Sequence, residues 1–329
     1  MNDPLKIVFM GTAPLARDIL GALLDCDRFR IVGVVSQPDR PAGRKMRLQP
    51  TPVKELALQH GIEVYQPEKI RSDESVAKLQ EWEADLGVVA AYGQILPEKI
   101  LTIPRHGCLN VHTSILPEYR GAAPIQWAIY DRIPETGVTV MKMDKGMDTG
   151  DIIAIRKTPI DPEESSAQLH DRLAVIGGQL LVETIPGYID GTIQPVPQDH
   201  SLATHARKIE KADSLIDWSR TPEQIRAQIL AFTPWPGASS AILPDNPENG
   251  SLPFKIWKIK PLGLIPDDQA STAVPGTILE ADPHQVIVAC GDGRLAALEE
   301  LQFPGGRRLP ITAIQAAGTF RRGMMLGNG

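Results

Sequence analysis

The chain has 329 residues, with 34 Lys and Arg against 40 Asp and Glu and a formal net charge of −6. Its 42% hydrophobic content is too high for intrinsic disorder, and its length suggests two domains of roughly 100–200 residues each. The acidic total argues at first sight against a nucleic-acid partner, and no run approaches the roughly 18 consecutive apolar residues of a membrane span. The first six residues lack the basic region and long apolar run of a secretory signal. Cys26, Cys108 and Cys290 stand far apart with no Cys-x-x-Cys pair, which excludes a disulfide framework and a cysteine zinc site. All three read as buried small hydrophobes, and a cytoplasmic protein is expected.

The first half alternates strand and helix. Residues 5–10 form a short apolar run ending at Gly11, followed by an apolar-periodic helix over about 16–24 and a Val-rich strand over 31–36. A polar loop runs to Thr51, a good helix N-cap with Pro52 at the first helical position and Gly61 just past the end. Residues 62–65 are strand-like and 72–82 read as a helix. The run of seven apolar residues over 86–92 suits a strand covered on both faces. Further strands are expected over 107–112, 138–143 and 152–155, with helices opening at Pro124 and over about 165–188. Repeated strand–helix units with short joints predict an α/β, doubly wound, mostly parallel sheet of Rossmann-like type. Ligands of such sheets sit beyond the carboxyl ends of the strands.

The texture changes after Gly191. Residues 192–205 are polar with two prolines, as in an inter-domain connector. A helix over 221–232 follows. Turn signals are then dense, with short β-type runs between them at 254–259, 276–279, 285–289 and 294–298. This pattern predicts a small β-barrel or sandwich. The expected division is a domain over 1–190, a linker over 191–208 and a second domain over 209–329.

Three stretches are candidates for chemistry. Asn110 and His112 are two apart on a strand, so both side chains face the same way. An amide donor beside an imidazole at a strand's carboxyl end can hold a developing oxyanion and move a proton; a polar strand end capping a turn is the plainer alternative. The segment MDKGMDTGD over 143–151 holds three Asp, and Asp148 can lie beside His112 and fix its tautomer. A Gly-Asp turn is the alternative there, and the spacing is poor for Mg²⁺, so no metal is expected. The third stretch places Arg40, Arg44, Lys45 and Arg47 in eight positions with no acid, as a phosphate-contacting loop or a solvated basic one. Gly11 stands alone where a dinucleotide fingerprint needs three glycines, which disfavours a nicotinamide enzyme.

With these stretches in view, nearly the whole chain resembles the methionyl-tRNA formyltransferases, within the 10-formyltetrahydrofolate-dependent formyltransferase family. The motifs are QPDRPAGR over 37–44, VAAYGQILP over 89–97, NVHTSILPEYRGAAP over 110–124, MDKGMDTGD over 143–151, and IDWSR with FTPWPG within 216–237. The resemblance implies transfer of a formyl group from 10-formyltetrahydrofolate to the methionine of initiator tRNA, with Asn110, His112 and Asp148 as catalytic residues and no metal. It implies a folate pocket drawing on Tyr92, Gly93, Gln94, Ile95, Leu96, Ser114, Leu116, Pro117, Met143 and Asp144, largely through backbone groups. It implies tRNA contacts from Arg40, Arg44, Lys45 and Arg47, and from Arg307 and Arg308 on a C-terminal OB-like barrel. Residues 44–47 carry a Met where many relatives show a longer Gly/Lys run, but the charge count survives. A monomer is expected. The alternative within the fold is a formyltransferase acting on another amine, such as a nucleotide-linked amino sugar or glycinamide ribonucleotide. A non-catalytic RNA-binding protein is disfavoured by the intact Asn110, His112 and Asp148.

The net charge is also less adverse to RNA than it first reads. Residues 40–47 and 301–329 each carry +4 with no acid, on an otherwise acidic chain. Such local charge suits binding confined to a few loops and weakened by salt.

Overall fold

The computed structural model describes residues 3–42, 47–244, 246, 250–265 and 273–328. The chain packs as two compact units, one of Met1–Pro124, Glu135–Pro159 and Leu169–Arg207, the other of Ile125–Pro134, Ile160–Gln168 and Lys208–Gly329.

The first unit is built on a seven-stranded sheet. Its strands are β1 (Leu5–Gly11), β2 (Phe29–Val35), β5 (Val64–Tyr65), β6 (Leu86–Ala90), β7 (Cys108–His112), β9 (Glu135–Lys142) and β10 (Ile152–Pro159). Their order is β10-β9-β7-β6-β1-β2-β5. The pairs from β5 through β7 are parallel, and β9 and β10 add an antiparallel edge. The sequence dictates this placement. Every residue of LGVVA in β6 and of CLNVH in β7 is buried, so these strands need neighbours on both sides and cover on both faces.

The helices start where capping chemistry allows. α1 (Pro14–Leu24) has Pro at its first position and buries Leu15, Ala16, Ile19, Leu20 and Leu23 along one stripe. α2 (Pro52–Gln59) begins where Thr51 accepts the Lys54 N–H, and α3 (Asp73–Glu81) where Ser72 accepts that of Ser75. α4 (Glu98–Leu101), α5 (Pro124–Tyr130) and α6 (Ser166–Ile189) complete the set before residue 190.

Three local expectations change. The segment read as an open polar loop contains a small hairpin, β3 (Arg40–Ala42) against β4 (Arg47–Gln49), paired Arg40 to Gln49 and Ala42 to Arg47. Two short extended stretches pair locally and satisfy one another's backbone groups. Second, the stretch read as a connector packs into the first unit. Val196 bridges Ile152, β11 (His205–Ala206) pairs with β8 (Arg120–Gly121), and Gln198 is buried. Its polar side chains make bonds inside the protein that composition does not reveal. Third, Cys108 and Cys290 are buried, but Cys26, just past the end of α1, is only partly so.

The second unit is an antiparallel barrel. Its strands are β12 (Ala238–Leu243), β13 (Leu252–Leu264), β14 (Ile278–Ala281), β15 (Val286–Ala289), β16 (Arg294–Gln302), β17 (Leu309–Pro310) and β18 (Met325–Gly327), ordered β14-β15-β16-β13-β12-β18 with β17 on β16. A bridge between Thr277 and Met325 joins the ends and nearly closes the barrel, which removes exposed edges. Phe254, Ile256, Ile278, Val288, Leu298 and Phe320 fill its core. α7 (Pro222–Ala231) starts at a reciprocal cap between Thr221 and Gln224.

Candidate active site

The site forms at the carboxyl end of β7, where an α/β sheet presents its ligands. β7 lies between β6 and β9, pairing Asn110 with Val89 on one side and Met141 on the other. This fixes Asn110 and His112 on one face of one rigid strand. Asn110 is 9% exposed, and among the described residues no hydrogen bond ties up its amide.

His112 is 7% exposed. Its Nε2 lies 3.0 Å from the carbonyl oxygen of Tyr119. A carbonyl only accepts, so Nε2 carries the hydrogen and donates. Nδ1 is then the nitrogen turned toward Asp148, 3.7 Å from its Oδ1. That separation is just beyond a direct hydrogen bond.

Asp148 arrives from the 143–151 loop between β9 and β10. Its Oδ2 accepts the Gly121 N–H at 2.8 Å, which aims the other oxygen toward His112. Its φ of +53° is left-handed, costing on the order of 1 kcal/mol, and Asp is among the residues that tolerate it. The loop is braced from within: the Asp144 carboxylate accepts from Thr149 Oγ1 and from the Gly146 N–H. Gly150 lets it close, since a Cβ there would stand 1.8 Å from the Lys142 carbonyl oxygen. Gly121 has φ +116° with the Ala206 carbonyl oxygen 2.7 Å from where a Cβ would be.

The residues expected to hold a folate fall into three groups. After β6, Tyr92 and Leu96 are buried, Gly93 is left-handed at φ +89°, and Ile95 is 79% exposed. The Tyr92 carbonyl accepts from Thr12 Oγ1 and Gln37 Nε2, so the glycine-poor first loop ties down this segment. Gln94 accepts the Ile70 N–H and donates to the carbonyls of Pro67 and Glu68. After β7, Ser114 and Leu116 are buried and Pro117 half-buried. Ser114 donates to the Glu118 carbonyl, and Thr139 bonds both the Ser114 carbonyl and the Leu116 N–H. In the 143–151 loop, the Met143 N–H pairs with the Cys108 carbonyl.

Of the basic residues, Arg40 is exposed and 3.5 Å from Glu68, and Arg47 is exposed. Arg44 and Lys45 lie outside the described residues. Arg307 is exposed; Arg308 pairs with Glu300 and lies over the Trp257 ring at 5.3 Å. Among the described residues no group of three or more His, Cys, Asp or Glu is placed to hold a metal ion, and no helix is long and apolar enough to cross a membrane.

Sequence reasoning missed three parts of this site, the Tyr119 carbonyl, the Gly121 N–H and Gln198, and gave Arg120 no part in holding Asp148. The first two are backbone groups, which no side-chain pattern signals. Arg120 sits inside the NVHTSILPEYRGAAP motif, where its position was a usable signal. Gln198 had none.

Two family models match the chain, formyl transferase over residues 5–185 and formyl transferase, C-terminal domain, over 208–317. A methionyl-tRNA formyltransferase of Geobacter sulfurreducens is 41% identical over 98% of this chain and 97% of its own length. One of Stutzerimonas stutzeri is 46% identical over 94% of this chain and 93% of its own. In fold, the chain is similar to an N-formyltransferase from Helicobacter canadensis, solved with folinic acid and dTDP-3-aminofucose. The TM-score is 0.61 at 20% identity, covering 89% of this chain and 98% of that one. Both units of the fold and the near full-length identity converge, and the chain belongs to the methionyl-tRNA formyltransferase family of formyl transferases.

Proposed function

We propose that the protein transfers the formyl group of 10-formyltetrahydrofolate to the α-amino group of methionine on initiator methionyl-tRNA, for translation initiation. The observation that carries this reading is the meeting of Asn110, His112 and Asp148 at the end of β7. Its setting is a chain whose relatives at 41% and 46% identity are methionyl-tRNA formyltransferases.

The chemistry follows from the donors available. The unprotonated amine attacks the formyl carbon, a C–N bond forms, and the former carbonyl oxygen becomes an oxyanion. The Asn110 amide and a protonated Nδ1 of His112 donate to that oxygen. Because Nε2 is engaged by the Tyr119 carbonyl, Nδ1 is the nitrogen left for the reacting group. Asp148 faces His112 and takes the proton the amine loses, directly or through water. Collapse of the intermediate breaks the bond from the formyl carbon to N10 of the folate, and N10 takes up the proton that Asp148 received, so that the folate leaves as a neutral amine and the carboxylate is restored. No covalent enzyme intermediate is required.

The folate lies against the segments holding Tyr92, Gly93, Gln94, Ile95, Leu96, Ser114, Leu116, Pro117, Met143 and Asp144. Because Gln94, Ser114 and Asp144 are engaged within the protein, recognition falls to backbone groups and apolar surface. Arg40, Arg44, Lys45 and Arg47 meet the acceptor end of the tRNA, where RNA recognition works on unpaired nucleotides. Arg307 and Arg308 contribute from the barrel, a fold suited to nucleic acid. The protein acts as a cytoplasmic monomer.

His112→Ala tests the site. Formylation should fall by about 10²–10³-fold or more while tRNA binding persists. Activity within a few-fold of wild type would contradict the assignment.

A further inference from the structure

The turn that delivers Asp148 is gripped at its main chain by one buried side chain. Nε2 of Gln198 donates to the carbonyl oxygens of Asp148 and Gly150, at 3.0 and 2.6 Å. Oε1 of the same amide accepts from Nε and Nη2 of Arg120, at 3.1 and 2.6 Å. Gln198 and Arg120 are each 5% exposed. The amide has only one possible orientation: the guanidinium can only donate and the two carbonyls can only accept. Nη2 of Arg120 also meets Nδ1 of His200 at 2.9 Å. A buried guanidinium polarises the amide it binds and strengthens the bonds made from the amide's far end.

The geometry closes a ring around Asp148. Arg120 grips the main chain of residues 148 and 150 through Gln198, and the next residue, Gly121, grips the Asp148 carboxylate with its own N–H. The conformation so held is the left-handed one that an L-residue rarely adopts. Releasing the main chain frees residue 148 to relax, and its carboxylate then turns away from His112.

We infer that Gln198 is a positioning residue for formyl transfer, holding Asp148 in register with His112 under the direction of Arg120. This rests on the reading of Asp148 as a catalytic group. The competing role is a brace that only fastens the 191–207 segment to the fold.

A double-mutant cycle with steady-state kinetics on methionyl-initiator tRNA separates the two. Gln198→Met keeps the volume and loses every polar contact. It should lower kcat by about 10²-fold, as misplacement of a catalytic group by about 1 Å does, with KM for both substrates within threefold. Combined with Asp148→Asn it should cost less than threefold beyond Asp148→Asn alone, because residues acting as a unit are not additive. Should Gln198→Met not fold, Gln198→Glu carries the test. It keeps an acceptor for Arg120 but sets a carboxylate oxygen against two carbonyls, and should show the same kcat loss. A folded Gln198 variant with wild-type kcat, or losses that multiply in the double mutant, would overturn the inference. Wild-type activity in Asp148→Asn would instead overturn the catalytic reading on which it rests.

Discussion

Burial pushes the thiols of Cys108 and Cys290 up to about 12. At pH 8 about one such thiol in ten thousand is ionised, and the thiolate is the reactive form. Cys26 is partly exposed. The native protein should therefore consume one equivalent of a disulfide reagent at pH 8, read as one equivalent of its released thiolate, and three after denaturation; rapid labelling of all three in the native state would contradict the burial. The same scale shows what was legible and what was not. Asn110 and His112 were readable because a strand repeats every two residues, so their spacing alone puts them on one face. Asp148 was placed near them by resemblance and by its distance along the chain, not by periodicity. Gln198 and the Tyr119 carbonyl were illegible: their roles depend on where a polar segment and a tight turn return to the sheet.

The 143–151 loop turns a β9–β10 connection into a carrier for Asp148. Its closure needs Gly150. Gly150→Ala sets a Cβ against the Lys142 carbonyl, and overpacking of this kind costs about 1–3 kcal/mol. We expect a lower melting temperature and a kcat reduced at least tenfold, read from a thermal melt beside steady-state kinetics. Wild-type kcat in that variant would mean that the loop's path does not set the catalytic geometry. Other elements were legible to different degrees. The helices with side-chain caps start where Thr51, Ser72 and Thr221 place them. β13 runs well past its expected 254–259, taking in Pro253, Pro261 and Gly263, residue types that local propensity disfavours inside a strand. Register shifts on either side of Lys258 and between Pro261 and Leu264 absorb the irregularity, and the barrel supplies partners that short-range patterns cannot see.

At the scale of the molecule, the net charge of −6 coexists with +4 in residues 40–47 and +4 in residues 301–329. An acidic chain with two local basic segments suits a substrate that touches at chosen places and is otherwise repelled, and such binding weakens steeply with salt. The parallel sheet was predictable from alternating elements, and the barrel from dense turns and short strands. The edge of the first unit was not, because residues 192–205 read as a connector by composition and are structural by their bonds. The most direct test of the central claim is formyl transfer from 10-formyltetrahydrofolate, measured side by side on methionyl-initiator tRNA, methionyl-elongator tRNA and a nucleotide-linked amino sugar. Rapid formylation of the initiator tRNA is expected, with far slower reaction of the elongator and none of the sugar. Formylation of the sugar with both tRNAs untouched would contradict it.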